Sequence, residues 1–155
     1  MTAYLIVMYL ISLALAYVIA FTDATLAMGR ALSDTGTGTG YQDAITPPRF
    51  STIALLIYGA CVAGVVYGIW AFGWLVGLGA GLGLLIAASV NKALLLPKSN
   101  SEHFRKIIVH SMVNRHADYV KSGDTLRASV MGELLGKAGV PVNEFMAQVK
   151  GKGDA

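Results

Sequence analysis

Between residues 50 and 91 the chain carries no Asp, Glu, His, Lys or Arg, and glycines recur throughout; Arg49 and Lys92 bound the run. A single helix of that length, rising about 1.5 Å per residue, would reach roughly 60 Å, twice the ~30 Å hydrocarbon core of a bilayer. The run is therefore expected to fold back on itself. Its folding point is Trp70-Ala71-Phe72-Gly73-Trp74, because aromatic rings of this kind settle at the membrane–water interface and glycine takes turn conformations that other residues resist. The reading is a transmembrane helical hairpin made of spans two and three.

Composition agrees with a membrane setting. Hydrophobic residues make up 55% of the chain and charged ones only 14%, with a mean hydropathy of +0.59, whereas charged residues in soluble domains run near a quarter. A further uncharged apolar run, residues 3–21, is long enough to cross once, which makes three spans. It is longer than the ~7–15-residue core of a signal peptide and no Lys or Arg precedes it, so it reads as a retained span. The alternative is cleavage in the Ala-rich segment before Thr25.

The basic residues set an orientation. Arg30 and Arg49 lie between the first two spans, Lys92 ends the third, and the rest lie in the tail, with none before residue 3 or in residues 70–74. By the positive-inside rule the loop and tail are expected in the cytoplasm, with the N-terminus and the hairpin turn outside, as in a bacterial inner membrane. The net charge of +3 comes from the tail: residues 97–155 hold nine basic and six acidic side chains, while residues 1–96 hold three of each. So small an excess beside a membrane gives no reason to expect a nucleic-acid partner. Cys61, the single cysteine, falls mid-span and has no partner for an intramolecular disulfide.

The expected fold is an all-α membrane protein. Its divisions are a first transmembrane helix over residues 1–26, a flexible Gly/Thr-rich loop over 27–49, the hairpin over 50–96 and a helical tail over 97–155. Ser12 is the strongly polar residue inside the first span; it is expected to bond back to a carbonyl one turn earlier, with an interhelical bond as the alternative. Thr22, Asp23 and Thr25 interrupt the apolar pattern at its end. Asp23 either marks a helix end in water or pairs with Lys92 or Arg49 at the membrane edge, since an unpaired carboxylate near hydrocarbon is costly. In the loop, Asp34-Thr35-Gly36 matches the aspartic-protease triplet in letters only, because no second such carboxylate on a β-rich scaffold accompanies it. The glycines that follow lack the Lys of a phosphate-cradling loop. Pro47-Pro48 gives an extended entry, and Ser51 or Thr52 is expected to cap span two.

On a helical wheel, Ala60, Gly64 and Gly68 form one row of span two with Cys61 beside them, and Leu55, Tyr58, Val62, Val66 and Ile69 fall opposite. Span three repeats the design, with Gly73, Gly77, Ala80, Gly81, Gly83, Ala87 and Ala88 across from Leu75, Leu78, Leu82, Leu85 and Ile86. Lipid offers no hydrophobic force between helices, so association depends on close contact, which small residues permit. The faces are expected to be helix-packing surfaces, and that of span three is wider than one neighbour requires. No span interior holds an acidic or basic side chain, which disfavours coupled transport or haem ligation by this chain alone.

In the tail, Ser99 or Ser101 is expected to cap a helix that Gly123 stops; Asp124 caps a second, ending at Gly139, and Asn143 a short third carrying Phe145, Met146 and Val149. The first presents Phe104, Ile108, Met112 and Tyr119 on an apolar face expected to pack within the tail or against a partner, with the alternative that it lies along the headgroups, where Lys98 and Arg105 would meet lipid phosphates. The second presents Leu126, Val130, Met131, Leu134 and Leu135. His103, His110 and His116 lack ligand spacing and read as solvated, and no nucleophile–base set is evident. No catalytic residue, metal or cofactor is expected, and no small-molecule substrate. The favoured function is a non-catalytic membrane subunit or scaffold whose partners are the lipid bilayer and other membrane subunits or copies of itself. The alternative is a self-assembling pore or holin-like permeabiliser.

Overall fold

The computed structural model describes residues 1–33 and 42–140, the side chains of residues 42 and 43 excepted. The expectations for the Gly/Thr stretch, the Asp-Thr-Gly triplet and the third tail helix lie outside these residues. Among the described residues the chain is all-helical, without a strand: α1 (Thr2–Leu32), the single turn α2 (Gln42–Ile45), α3 (Pro48–Phe72), α4 (Trp74–Leu95), α5 (Glu102–Ser122) and α6 (Thr125–Lys137). Helices α1, α3 and α4 are long and apolar enough to cross a membrane.

Two helix boundaries differ from those expected. Helix α1 does not stop near Asp23 but continues to Leu32. Thr22 Oγ1 donates to the Val18 carbonyl at 2.8 Å, so this hydroxyl is satisfied inside the helix instead of ending it. Beyond it Leu26, Ala27 and Met28 are good helix formers. Helix α3 starts at Pro48 rather than at the hydroxyl residues, since proline's fixed φ and missing N–H suit the first helical position. Ser51 then sits in the first turn, donating to the Pro48 carbonyl at 3.3 Å.

Other boundaries fall where local chemistry puts them. Gly73, between α3 and α4, has φ 91° and ψ 161°, an extended positive-φ state that is essentially confined to glycine and costs a residue with a Cβ roughly 1–3 kcal/mol. Helix α4 ends as Leu96 turns extended, at φ −102° and ψ 147°, the conformation a following proline imposes. Gly123 closes α5 in the left-handed region at φ 75°. Asp124 then caps α6 by accepting from the Arg127 N–H at 3.1 Å.

The chain forms two compact units. The first comprises Met1–Asp23 and Pro48–Ser99. Its core sets Tyr4, Met8, Leu15 and Ala16 of α1 with Leu84 and Ala88 of α4, and Ile57, Cys61 and Val65 of α3 pack at its edge. Leu55, Leu75, Leu78, Leu82, Leu85 and Ile86 are exposed, as residues facing lipid would be.

The second comprises Ala24–Pro47 and Asn100–Ala155. Phe104, Ile108, Met112 and Val113 of α5 are buried, as are Met131, Leu134 and Leu135 of α6 and Ile45 of α2. Leu126 and Val130, expected on the inner side of α6, are exposed. The buried stripe is instead Ala128, Met131, Leu134, Leu135 and Ala138, rotated toward small residues that allow close approach. A Cβ on Gly132 would lie 3.5 Å from His116 Nε2. His116 is accordingly buried rather than solvated, while His103 and His110 stay exposed. Two arginines of α5 fasten this unit by helix ends. Arg115 donates to the carbonyls of Ala44 at 3.0 Å and Thr46 at 2.6 Å, and Arg105 to that of Ala138 at 2.8 Å. Each meets carbonyls that a helix C-terminus leaves without a partner.

Candidate helix-docking site

In the first unit the glycine rows serve several neighbours. A Cβ placed on Gly68 would lie 3.1 Å from the Gly77 Cα and collide with the Tyr4 hydroxyl. One on Gly77 would lie 2.5 Å from the Ile69 nitrogen and 2.9 Å from its Cα. The backbones of α3 and α4 therefore approach closely at this level, with the Ile69 side chain against Gly77 and the Tyr4 ring against Gly68. Gly81 meets α3 less tightly, its added Cβ falling 2.9 Å from Val65 Cγ2. Gly64 is turned to α1, where its added Cβ would lie 2.6 Å from Met8 Sδ. The Gly64 carbonyl also accepts from the Tyr4 hydroxyl at 3.1 Å.

Two further glycines of α4 have open space beside them, whereas Ala88 is buried in the core. Gly79 and Gly83 have nothing within 4 Å of where a Cβ would be. Together with Ala80 and Ala87 of α4, Met1, and Leu5 and Tyr9 of α1, they line a groove of about 410 Å³. Ala60, expected to pack, is exposed; it lies with Ala63 and Gly64 along a second groove of about 550 Å³ whose walls include Tyr67, Phe72, Val7 and Ile11. Gly73 has no neighbour within 4 Å either, and its conformation accounts for its presence.

Besides the Tyr4 bond, polar contacts bind α1 at two further levels. Lys92 Nζ pairs with the Asp23 carboxylate, and Arg49 is exposed. Ser12 is fully buried and makes both of the bonds considered for it: its Oγ donates to the Tyr9 carbonyl at 2.6 Å and accepts from Asn91 Nδ2 at 3.3 Å. Aromatic rings close one end of the unit, with Tyr4 5.4 Å from Phe72 and 6.0 Å from Tyr67 between centroids. Phe21 and Phe50, 4.6 Å apart, make a corresponding contact between α1 and the first turn of α3.

The apolar face of α5 packs within the second unit rather than outward, the first of the alternatives weighed for it. Phe104, Ile108 and Met112 are almost completely buried in the second unit's own core, because α6 and Ile45 cover them. Tyr119 is half-buried with the Arg127 guanidinium 5.9 Å above its ring. Sequence reasoning also missed Asn91, which it took as the edge of the uncharged run. An amide at the end of an otherwise apolar helix was itself the signal, since polar side chains at membrane depth seek partners. Gly79, Arg115 and the Arg105 bond to Ala138 carried no comparable mark.

Against known proteins, no family model, no curated protein and no solved structure matches this chain.

Proposed function

We propose that this chain is a non-catalytic subunit or scaffold of a larger membrane complex, held there by the small-residue grooves that its own three apolar helices leave open. In this reading α3 and α4 are a transmembrane hairpin in a bacterial inner membrane, with the N-terminus and the Gly73 turn outside and the second unit in the cytoplasm. The observation that carries the reading is the division of the glycines. Gly68, Gly77 and Gly81 are used within the chain, whereas Gly79 and Gly83 border space with no neighbour within 4 Å. In lipid, backbone made accessible in this way is what lets a further helix approach closely. Purification of the full-length chain in mild detergent tests it. Co-purification of a defined set of other membrane polypeptides, lost on Gly83→Leu, is the expected result. A homogeneous homo-oligomer that releases dye from liposomes would overturn it in favour of a pore.

A further inference from the structure

The second unit has a surface groove of about 590 Å³ along the first two turns of α5, reaching Val140. Its apolar lining is Ile107, Val109 and Val140, and its cationic lining is Arg105 and Lys106, with His110 and the carboxylate of Glu102 beside them. We propose that this groove holds an anionic phospholipid, with the headgroup against Arg105 and Lys106 and the upper acyl chain against Ile107 and Val109. Charge complementarity favours this occupant over a neutral amphiphile. Lys106 contacts Glu102 at 3.1 Å, but both side chains are about three-quarters exposed, so this pair is weak and exchangeable in water. Arg105 uses Nη2 on the Ala138 carbonyl, and guanidinium carries five N–H donors in all. Headgroups are within reach by chain length alone: residues 96–101 separate α5 from the end of α4, and so short a segment spans at most roughly 25 Å. The inference needs α4 to cross the bilayer and does not need the chain to be a subunit.

The full-length chain carrying the photoreactive substitution Ile107→p-benzoylphenylalanine, reconstituted in vesicles of equal phosphatidylglycerol and phosphatidylcholine, tests the proposal by mass spectrometry of the adducts formed on irradiation. Phosphatidylglycerol adducts should exceed phosphatidylcholine adducts, and Lys106→Ala should lower that ratio by about fivefold, the worth of one cation near an anionic surface. Lys106 lies on the outside of α5, so the helical circular-dichroism signal should stay unchanged in this variant. Equal labelling of the two lipids, no adduct, or adducts mainly to residues 141–155, to a second copy or to another protein would each overturn the proposal.

Discussion

An amide without a partner is costly at membrane depth, so the bond from Asn91 Nδ2 to Ser12 Oγ fixes the rotation of α1 against α4 more than it adds stability. Interhelical bonds of this kind average only about 0.6 kcal/mol, with a ceiling near 1.7. Asn91→Leu and Ser12→Ala should each lower the unfolding free energy in mixed micelles by an amount in that range. The double variant should lose less than the sum of the two, because the singles remove the same contact. Asp23 and Lys92 are partly exposed, which puts their pair among those worth at most about 1 kcal/mol. Asp23→Lys should lower thermal stability, and Asp23→Lys combined with Lys92→Asp should regain most of the loss. A swap that regains nothing would show that the two positions matter for reasons other than their mutual attraction. This ion pair was open to a reader of the sequence because opposite charges bracket the same end of two spans. The Asn91 bond was not, since nothing in the sequence says which residue of α1 lies across from it.

At the level of elements, the helical wheel separates small from bulky faces correctly but assigns no neighbour to them, for it gives an angle about one axis and no distance to another. Gly83 shares the small side of α4 with Gly77 and Gly81, and Gly79 falls beside Leu75 and Ile86, yet only Gly77 and Gly81 touch α3. Their substitutions should therefore differ. Gly77→Leu drives a side chain into the Ile69 backbone and should abolish cooperative unfolding, a cost beyond the ~1–3 kcal/mol of ordinary overpacking. Gly81→Leu and Gly64→Leu, which meet side chains able to shift, should destabilise by amounts within that range. Gly83→Leu should leave the melting temperature of the purified chain within a few degrees of the parent, as should Leu78→Ala on the exposed stripe. In α6 the wheel was misleading because Leu126 and Val130 are as apolar as the residues that are buried, and Ala128 and Gly132 decided which side approaches α5. In the same unit Arg115→Ala leaves the carbonyls of Ala44 and Thr46 without that donor. Amide hydrogens of residues 44–46 that bear one should then exchange at least tenfold faster by mass spectrometry, while those of α3 hold their rates.

At the scale of the molecule, the class was legible and the internal division was less so. Hydrophobic length alone marks out the three long apolar helices, because bilayer thickness is an external ruler that a sequence can be measured against. The second unit offers no such ruler: Ile45 and the carbonyls gripped by Arg115 come from a segment far from α5 in sequence, and no local pattern announces that return. If the chain works as a subunit, the particle extracted in mild detergent should have a protein mass well above the chain's 16.3 kDa, with other polypeptides making up the difference. Ser12 also bears on how such a molecule is made. Ribosomes add about 5–20 residues per second, and Asn91 lies 79 positions after Ser12, so Ser12 exists for roughly 4–16 s before its partner amide has been synthesised. Throughout that interval the bond from Ser12 to the Tyr9 carbonyl is already available within the nascent helix, and it satisfies a hydroxyl that would otherwise stand unpaired on an apolar helix until Asn91 is made.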